Sequence, residues 1–216
     1  MSEYFFSNLK HVALVGLGPD RELSRQSPAE QVWGVNALNL FQPVDVIFNM
    51  HDMRKRAPDA DLTPEMKQAW EGLEKARDDN IPVISCYEIE GYPNVRAFPI
   101  ERVVEAFRID YFTCTSAYML AFAIGVGVNR MDIFGITGKE AYQHQIPCLS
   151  FWLGQAMGRG IDVRTFGYGS DLLRTQPSLS APVSRQHRYG YDQHPLEAKE
   201  FLEGVVGSPI AWEEEE

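Results

Sequence analysis

The sequence has few cysteines, and they form no paired motif. Cys86, Cys114 and Cys148 are an odd number of cysteines without a CxxC spacing, so neither a disulfide framework nor a zinc knuckle is expected. We expect all three to be reduced and to behave as small apolar residues, which is typical of cytoplasmic proteins.

Long apolar runs and an excess of basic residues are also missing. No apolar run approaches the roughly 18 residues that a membrane span needs, and Glu3 stands where a signal peptide carries basic residues. We therefore expect a cytoplasmic protein without a membrane span. Lys and Arg number 20 against 30 Asp and Glu, a formal net charge of −10. This charge repels phosphate backbones, so non-specific nucleic-acid binding is not expected.

The sequence does contain short apolar runs that alternate with helical patterns. Continuous apolar runs are typical of strands buried on both faces of a parallel sheet, and helices show apolar residues three and four positions apart. Strands are predicted at 11–16, 31–36, 44–49, 81–85, 130–135 and 161–165, helices at 63–79, 116–126 and 147–158, and a loop at 93–101.

This alternation predicts an α/β fold, a single Rossmann-like domain with a doubly wound, mainly parallel sheet and helices on both faces. We place the domain at 1–175, because a chain of 216 residues is long enough for one sizeable core. The remaining residues, 176–216, form a predicted tail with a short helix at 195–205. This tail has two alternative roles: it caps the domain, or it contacts another subunit in a homo-oligomer.

A glycine turn follows the first predicted strand. Gly16 and Gly18 flank Leu17 and precede Pro19, and glycines at this position allow a phosphate or ribose to approach the backbone. The third glycine of the dinucleotide fingerprint is missing and Pro19 removes an N–H, so nicotinamide or flavin binding is not supported. A merely tight turn is the alternative.

Polar side chains lie at other predicted strand ends. Asn36, Asn49 and His51 follow the second and third strands, and Ser116 begins a buried helix. Ligands of open parallel sheets bind at the carboxyl ends of the strands, where amides can bond ribose or a base and a helix N-terminus can bind phosphate. The alternative roles are turn-forming asparagines and an N-cap serine. No metal-ligand cluster is apparent, so no metal is expected.

Two candidate catalytic residues follow the fifth predicted strand. His144 is the general-base candidate because the reference pKa of histidine is near neutral, and Tyr142 can donate a proton to a departing phosphate. A solvated loop histidine is the alternative.

In order and strand context, these segments resemble the bacterial sialyltransferase family that includes the lipooligosaccharide enzymes, and the related pterin pyrophosphokinase-like Rossmann proteins. The resemblance implies that a cytidine-monophosphate sugar is bound without a metal, that Tyr142 assists the leaving phosphate and that His144 is the base. The residues that would hold the nucleotide sugar are Gly16, Gly18, Asn36, Asn49 and Ser116. Small phage-encoded proteins of unknown role are also similar.

Three functions follow from these patterns. The first is a metal-independent glycosyltransferase that uses a nucleotide sugar and no further cofactor. The second is a nucleotide-binding or sequestering protein without turnover, which suits Leu17 and Thr137 where the family has asparagine and aspartate. The third is a pyrophosphokinase-like phosphotransfer enzyme, which requires magnesium and acidic ligands.

Overall fold

The protein is an open α/β structure built on one parallel sheet. The computed structural model describes residues 8–53, 63–137 and 144–167, and the predicted tail at 176–216 lies outside them. The strands are β1 (His11–Val15), β2 (Gln31–Val35), β3 (Val46–Asn49), β4 (Val83–Ser85), β5 (Val95–Ala97), β6 (Arg130–Phe134) and β7 (Asp162–Thr165).

The seven strands lie in the order β5-β4-β3-β2-β1-β6-β7, and each neighbouring pair in that order is parallel. The chain thus runs outward from β1 to β5 and then returns to the other side of β1. Such a reversal of strand order opens a crevice at the carboxyl ends of β1 and β6, which is where ligands of open α/β sheets bind.

The described part of the chain has four α-helices beside the sheet, which are α1 (Pro64–Asp78), α2 (Ile100–Phe107), α3 (Thr115–Val126) and α4 (Ile146–Gly158), and 3₁₀ helices at Pro19–Gln26 and Leu38–Leu40. Helix α1 begins as its sequence predicts, because Thr63 Oγ1 accepts a hydrogen bond from Met66 N (3.3 Å) and Pro64 occupies the first turn. Within the described residues, none of the helices has the length and apolar character needed to cross a membrane.

Apolar side chains fill both faces of the sheet. Leu14 of β1 packs in one cluster with Leu120 and Trp152 of α3 and α4, whereas its neighbour Ala13 packs in a second cluster with Leu73 of α1. Successive strand residues point to opposite faces, so this division follows directly from the continuous apolar runs. The predicted doubly wound α/β fold with helices on both faces is confirmed, and the described sheet is parallel throughout.

The predicted loop at 93–101 is wrong. This stretch contains the edge strand β5 and the first residues of α2. β5 has three residues, and Arg96 and Ala97 are exposed, so it shows neither a buried apolar run nor a usable alternation. Its strand conformation depends on pairing with β4, which local sequence does not reveal.

Candidate functional site

A cleft of about 890 Å³ lies at the carboxyl ends of β1, β2, β3 and β6, a size typical of small-molecule sites. Its lining combines the turns that follow these strands with side chains from α1, the start of α3 and the start of α4. Gly16, Gly18, Asn36 and Ser116, predicted from distant segments of the chain, are all part of this lining.

The glycine turn packs against the turn that follows β6. Gly16 N donates to Phe134 O (2.8 Å) and Gly18 N donates to Gly135 O (2.9 Å). A β-carbon would lie 2.3 Å from Gly135 O at Gly16 and 2.6 Å from it at Gly18. The turn needs glycine for this loop contact, and the two N–H groups are used within the protein. The turn therefore shapes the cleft, and its approach to a ligand stays a prediction.

Asn36 has a left-handed backbone, with φ of 52°, a conformation that asparagine tolerates better than most residues. Its N–H donates to Phe48 O (2.7 Å) and so extends the pairing of β2 with β3. Thr115 Oγ1 donates to Asn36 Oδ1 (3.4 Å), which links the end of β2 to the first residue of α3. Both side chains line the cleft, so its centre carries an amide and a hydroxyl held together.

Asn49 lies beneath the cleft and is not part of its lining. Its side chain is buried, with 2% exposure, and its Oδ1 accepts a hydrogen bond from His51 N (3.2 Å). Met50 and His51, the next two residues, do line the cleft. In this structure Asn49 therefore holds the turn after β3, and direct contact with a ligand stays a prediction.

Helix α3 directs its N-terminus into the cleft. The N-cap position belongs to Cys114, whose side chain makes no capping hydrogen bond, so Ser116 lies inside the first helical turn and is not the N-cap residue. Thr113, Thr115 and Ser116 all line the cleft. Hydroxyls at the positive end of a helix dipole form a site that can accept an anion.

The predicted catalytic residues are placed less directly. Tyr142 lies outside the described residues. His144 is exposed and is not part of the cleft lining, whereas its neighbour Gln145 is. Their catalytic roles stay predictions.

An aromatic wall completes the cleft and was not assigned from the sequence. Phe112 and Tyr118 line it, with ring centroids 4.4 Å apart in a stacked arrangement. Phe112 also stacks on the buried Trp152, 5.1 Å away, whose Nε1 donates to Tyr111 O (2.8 Å). Burial raises the pKa of the Tyr118 hydroxyl. Phe112 precedes α3, Tyr118 lies in α3 and Trp152 in α4. The pattern of the sequence predicts the two helices, but it does not show that these three rings stack on one another.

The charge of the lining is low. Among the described residues it includes the acid Glu65 and the titratable His51, and neither Lys nor Arg. Burial lowers the pKa of the His51 imidazole and raises the pKa of the Cys114 thiol, which favours their neutral forms. Across the described part of the chain, no three His, Cys, Asp or Glu side chains are grouped so that they could hold a metal ion.

No family model matches the chain, and no curated protein matches it in sequence. Its structure is similar to that of the sialyltransferase CstII from Campylobacter jejuni in complex with CMP-3FNeuAc, at 13% identity and a TM-score of 0.47, with 76% of this chain and 82% of that chain covered. A CST-II complex with a trisaccharide acceptor and CMP gives 13% identity and a TM-score of 0.46, with 86% and 99% covered.

The α-2,3-sialyltransferase from Campylobacter jejuni in apo form gives 14% identity and a TM-score of 0.46, with 74% of this chain and 76% of that chain covered. The remote resemblance to sialyltransferases that the sequence predicts is confirmed. At these identities the resemblance concerns the fold alone.

Proposed function

We propose that the cleft binds a nucleotide and that the protein is a metal-independent glycosyltransferase that uses a nucleotide sugar. One observation carries the proposal. Polar groups from the ends of β2 and β3 and from the start of α3 converge in one cleft, beside the glycine turn and at the reversal of strand order. Open α/β sheets bind their ligands at this place.

The chemistry of the lining suits a nucleotide better than a small metabolite of high charge. The Asn36 amide can bond a ribose hydroxyl or a base edge, and the start of α3, with Thr115 and Ser116, can accept a phosphate. Leu17, Ile136 and Leu149 supply apolar surface in the same cleft, which a base or sugar ring can cover. The described lining has no Lys or Arg to bind several phosphates.

In the proposed transfer, an acceptor hydroxyl attacks the anomeric carbon of the donor sugar and the bond from that carbon to the phosphate oxygen breaks. His144 takes the proton of the hydroxyl, and Tyr142 and Ser116 stabilise the departing nucleotide. His144 is exposed and precedes Gln145, which lines the cleft, and this neighbourhood supports its assignment as the base.

A panel of nucleotides and nucleotide sugars, with and without magnesium, tests the binding step by thermal shift. A nucleotide that binds the folded state stabilises it, and above Kd this stabilisation grows with the logarithm of the nucleotide concentration. We expect stabilisation by one class of nucleotide that is unchanged when magnesium is withheld. Stabilisation that requires magnesium would support phosphotransfer, and a panel without any stabilising nucleotide would contradict the proposal.

Transfer is tested with the nucleotide sugar that the panel selects. We expect His144→Ala to abolish transfer and to leave nucleotide affinity nearly intact. Unchanged turnover in this variant would remove His144 as the base.

The second candidate function is nucleotide binding without turnover. It is favoured by the position of His144 outside the described lining and by the apolar Leu17 in the glycine turn. Under this function the wild-type protein binds the nucleotide sugar, and the ligand is recovered chemically intact after long incubation with a panel of acceptors.

A further inference from the structure

The described lining of the cleft offers little positive charge to the anionic ligand that we propose. Glu65 is the acid of the described lining, Lys and Arg do not contribute to that lining, and His51 is the residue in it that can become a cation near neutral pH. The chain as a whole carries a formal charge of −10. Helix dipoles and N–H groups supply partial charges, whereas a protonated imidazole supplies a full one.

The backbone of His51 is held on both sides. Its N–H donates to the buried Asn49 Oδ1 (3.2 Å), and its carbonyl oxygen accepts a hydrogen bond from Cys86 Sγ (3.4 Å). These contacts connect His51 to the ends of β3 and β4, so the sheet sets the position of its backbone at the cleft.

Several titratable groups belong to the elements around His51. Asp52 is the next residue, Cys86 after β4 contacts the His51 carbonyl oxygen, and Glu65 of α1 lines the same cleft, as do Cys114 and Tyr118 at the start of α3. Burial raises the pKa of Cys114 and of Tyr118, so both are neutral at pH 7. Burial lowers the pKa of His51, and its imidazole is therefore neutral before a ligand binds.

We infer that His51 is the residue of the cleft that responds to the charge of the ligand: it takes up a proton from solvent when an anionic nucleotide binds and donates a hydrogen bond to its phosphate group. The inference rests on the proposed nucleotide binding and adds a residue that the resemblance does not assign. It makes binding and proton uptake linked events, because a nearby anion favours the charged form of histidine.

The linkage has a defined sign. If binding raises the pKa of His51, affinity must increase as the pH falls through the range of histidine titration, by up to about tenfold for each unit of the rise. The probe needs a phosphate whose own charge is constant over this range, since a phosphate monoester has a second pKa near 6. The methyl ester of cytidine 5′-monophosphate meets this condition, and cytidine is the uncharged control.

Calorimetry of the full-length wild-type chain measures the proton count without a variant. Titrations with the methyl ester are repeated at pH 7 in two buffers of different ionisation enthalpy, and affinity is measured from pH 5.5 to 8. We expect net proton uptake with the methyl ester, affinity that rises towards low pH, and neither effect with cytidine. Absence of proton uptake while the ester binds would overturn the inference and leave nucleotide binding intact. Failure of both compounds to bind would reject both proposals.

Two variants assign the proton. His51→Asn keeps a hydrogen-bonding side chain that cannot become charged, and we expect it to bind the ester with the low affinity of the wild type at pH 8 and without pH dependence. Glu65→Gln removes the neighbouring acid, and we expect it to bind more tightly and to keep the pH dependence. A pH dependence that survives in His51→Asn, with a melting temperature like that of the wild type, would assign the proton to another group and overturn the inference. If His51→Asn fails to fold, the His51 ring of the wild-type protein is titrated by ¹³C-detected NMR with and without the ester. A pKa of His51 that the ester leaves unchanged would overturn the inference.

Discussion

Gly16 and Gly135 lie so close together that neither can carry a side chain. A β-carbon on Gly16 would lie 2.3 Å from the Gly135 carbonyl oxygen, and one on Gly135 would lie 2.9 Å from the Gly16 carbonyl oxygen. Gly135 also has a positive φ of 60°. The turns after β1 and β6 are therefore shaped by each other at the base of the cleft.

Gly16→Ala tests this contact. The new methyl group meets backbone atoms that cannot rotate away, so we expect a loss of about 1–3 kcal/mol in the free energy of unfolding, as for other overpacked sites, together with weaker nucleotide binding. Chemical denaturation and calorimetry measure the two effects. The matched control is Gly154→Ala in α4, where a β-carbon meets nothing within 4 Å; it should gain about 0.5–1 kcal/mol from helix propensity. Equal stabilities of the two variants would contradict the packing explanation.

Asn36 allows its backbone and side-chain roles to be separated. Asn36→Gly keeps the left-handed backbone without strain and removes the amide, whereas Asn36→Ala removes the amide and adds about 1 kcal/mol of backbone strain. We expect both variants to lose nucleotide affinity equally. We also expect Asn36→Ala to have a lower free energy of unfolding than Asn36→Gly. Nucleotide affinity that is retained in Asn36→Gly would show that the amide does not contact the ligand.

The contacts of Asp132 allow us to predict how the free energy of unfolding depends on pH. It is buried, with 1% exposure; it accepts hydrogen bonds from Arg130 (2.8 and 3.0 Å) and Ser27 Oγ (3.2 Å) and lies 2.9 Å from His11 Nε2. Burial alone raises the pKa of the Asp132 carboxyl, but the interactions with Arg130 and His11 outweigh it and the pKa is lowered. Its stabilisation is thus present above the ordinary aspartate pKa and is lost as the pH falls below about 4 through the lowered folded pKa.

Asp132→Asn should remove this dependence. We expect a loss of about 1–3 kcal/mol at neutral pH, because Arg130 loses its charged partner, and a flatter decline in the free energy of unfolding below pH 4. Urea denaturation from pH 3 to 7 measures both. Asp162→Asn is the control, because the pair of Asp162 with Arg164 is about half exposed and such pairs contribute little. A steep acid decline that persists in Asp132→Asn would place the responsible carboxyl elsewhere.

Trp152 supports the aromatic wall from behind. Trp152→Phe keeps an aromatic ring but loses the hydrogen bond to the Tyr111 carbonyl oxygen, and we expect a loss of about 1–3 kcal/mol and weaker binding of nucleotides as Phe112 loses its support. Tyr111→Phe leaves that carbonyl in place and should preserve stability. Thermal melting measures the stability of the two variants, and calorimetry measures their nucleotide affinity. A Trp152→Phe variant that stays stable but binds nucleotides more weakly would still support the role of Trp152 in the aromatic wall.

The candidate site was predictable where it depends on strand ends. Asn36 was placed from the sequence because a polar residue after a buried run lies at the rim of a parallel sheet, and Ser116 because a hydroxyl at the start of a buried helix can meet a phosphate. Asn49 shows the limit of this rule, since it is buried, accepts a hydrogen bond from His51 N and is not part of the lining. Neighbouring residues at a strand end point in different directions, and only the path of the following turn decides which of them meets the ligand.

The sequence by itself determined six of the strands and the two-faced core. The five strands β1, β2, β3, β4 and β6 are mostly buried apolar runs, a property of consecutive residues, whereas β7 is a partly exposed edge strand that was placed from its position after Gly160. Tertiary structure alone decided the order of the strands, the presence of β5 and α2, the mutual packing of Gly16 and Gly135, and the position of His51 in the cleft. Each of these features depends on atoms that are distant in the chain, and local periodicity carries no information about such contacts.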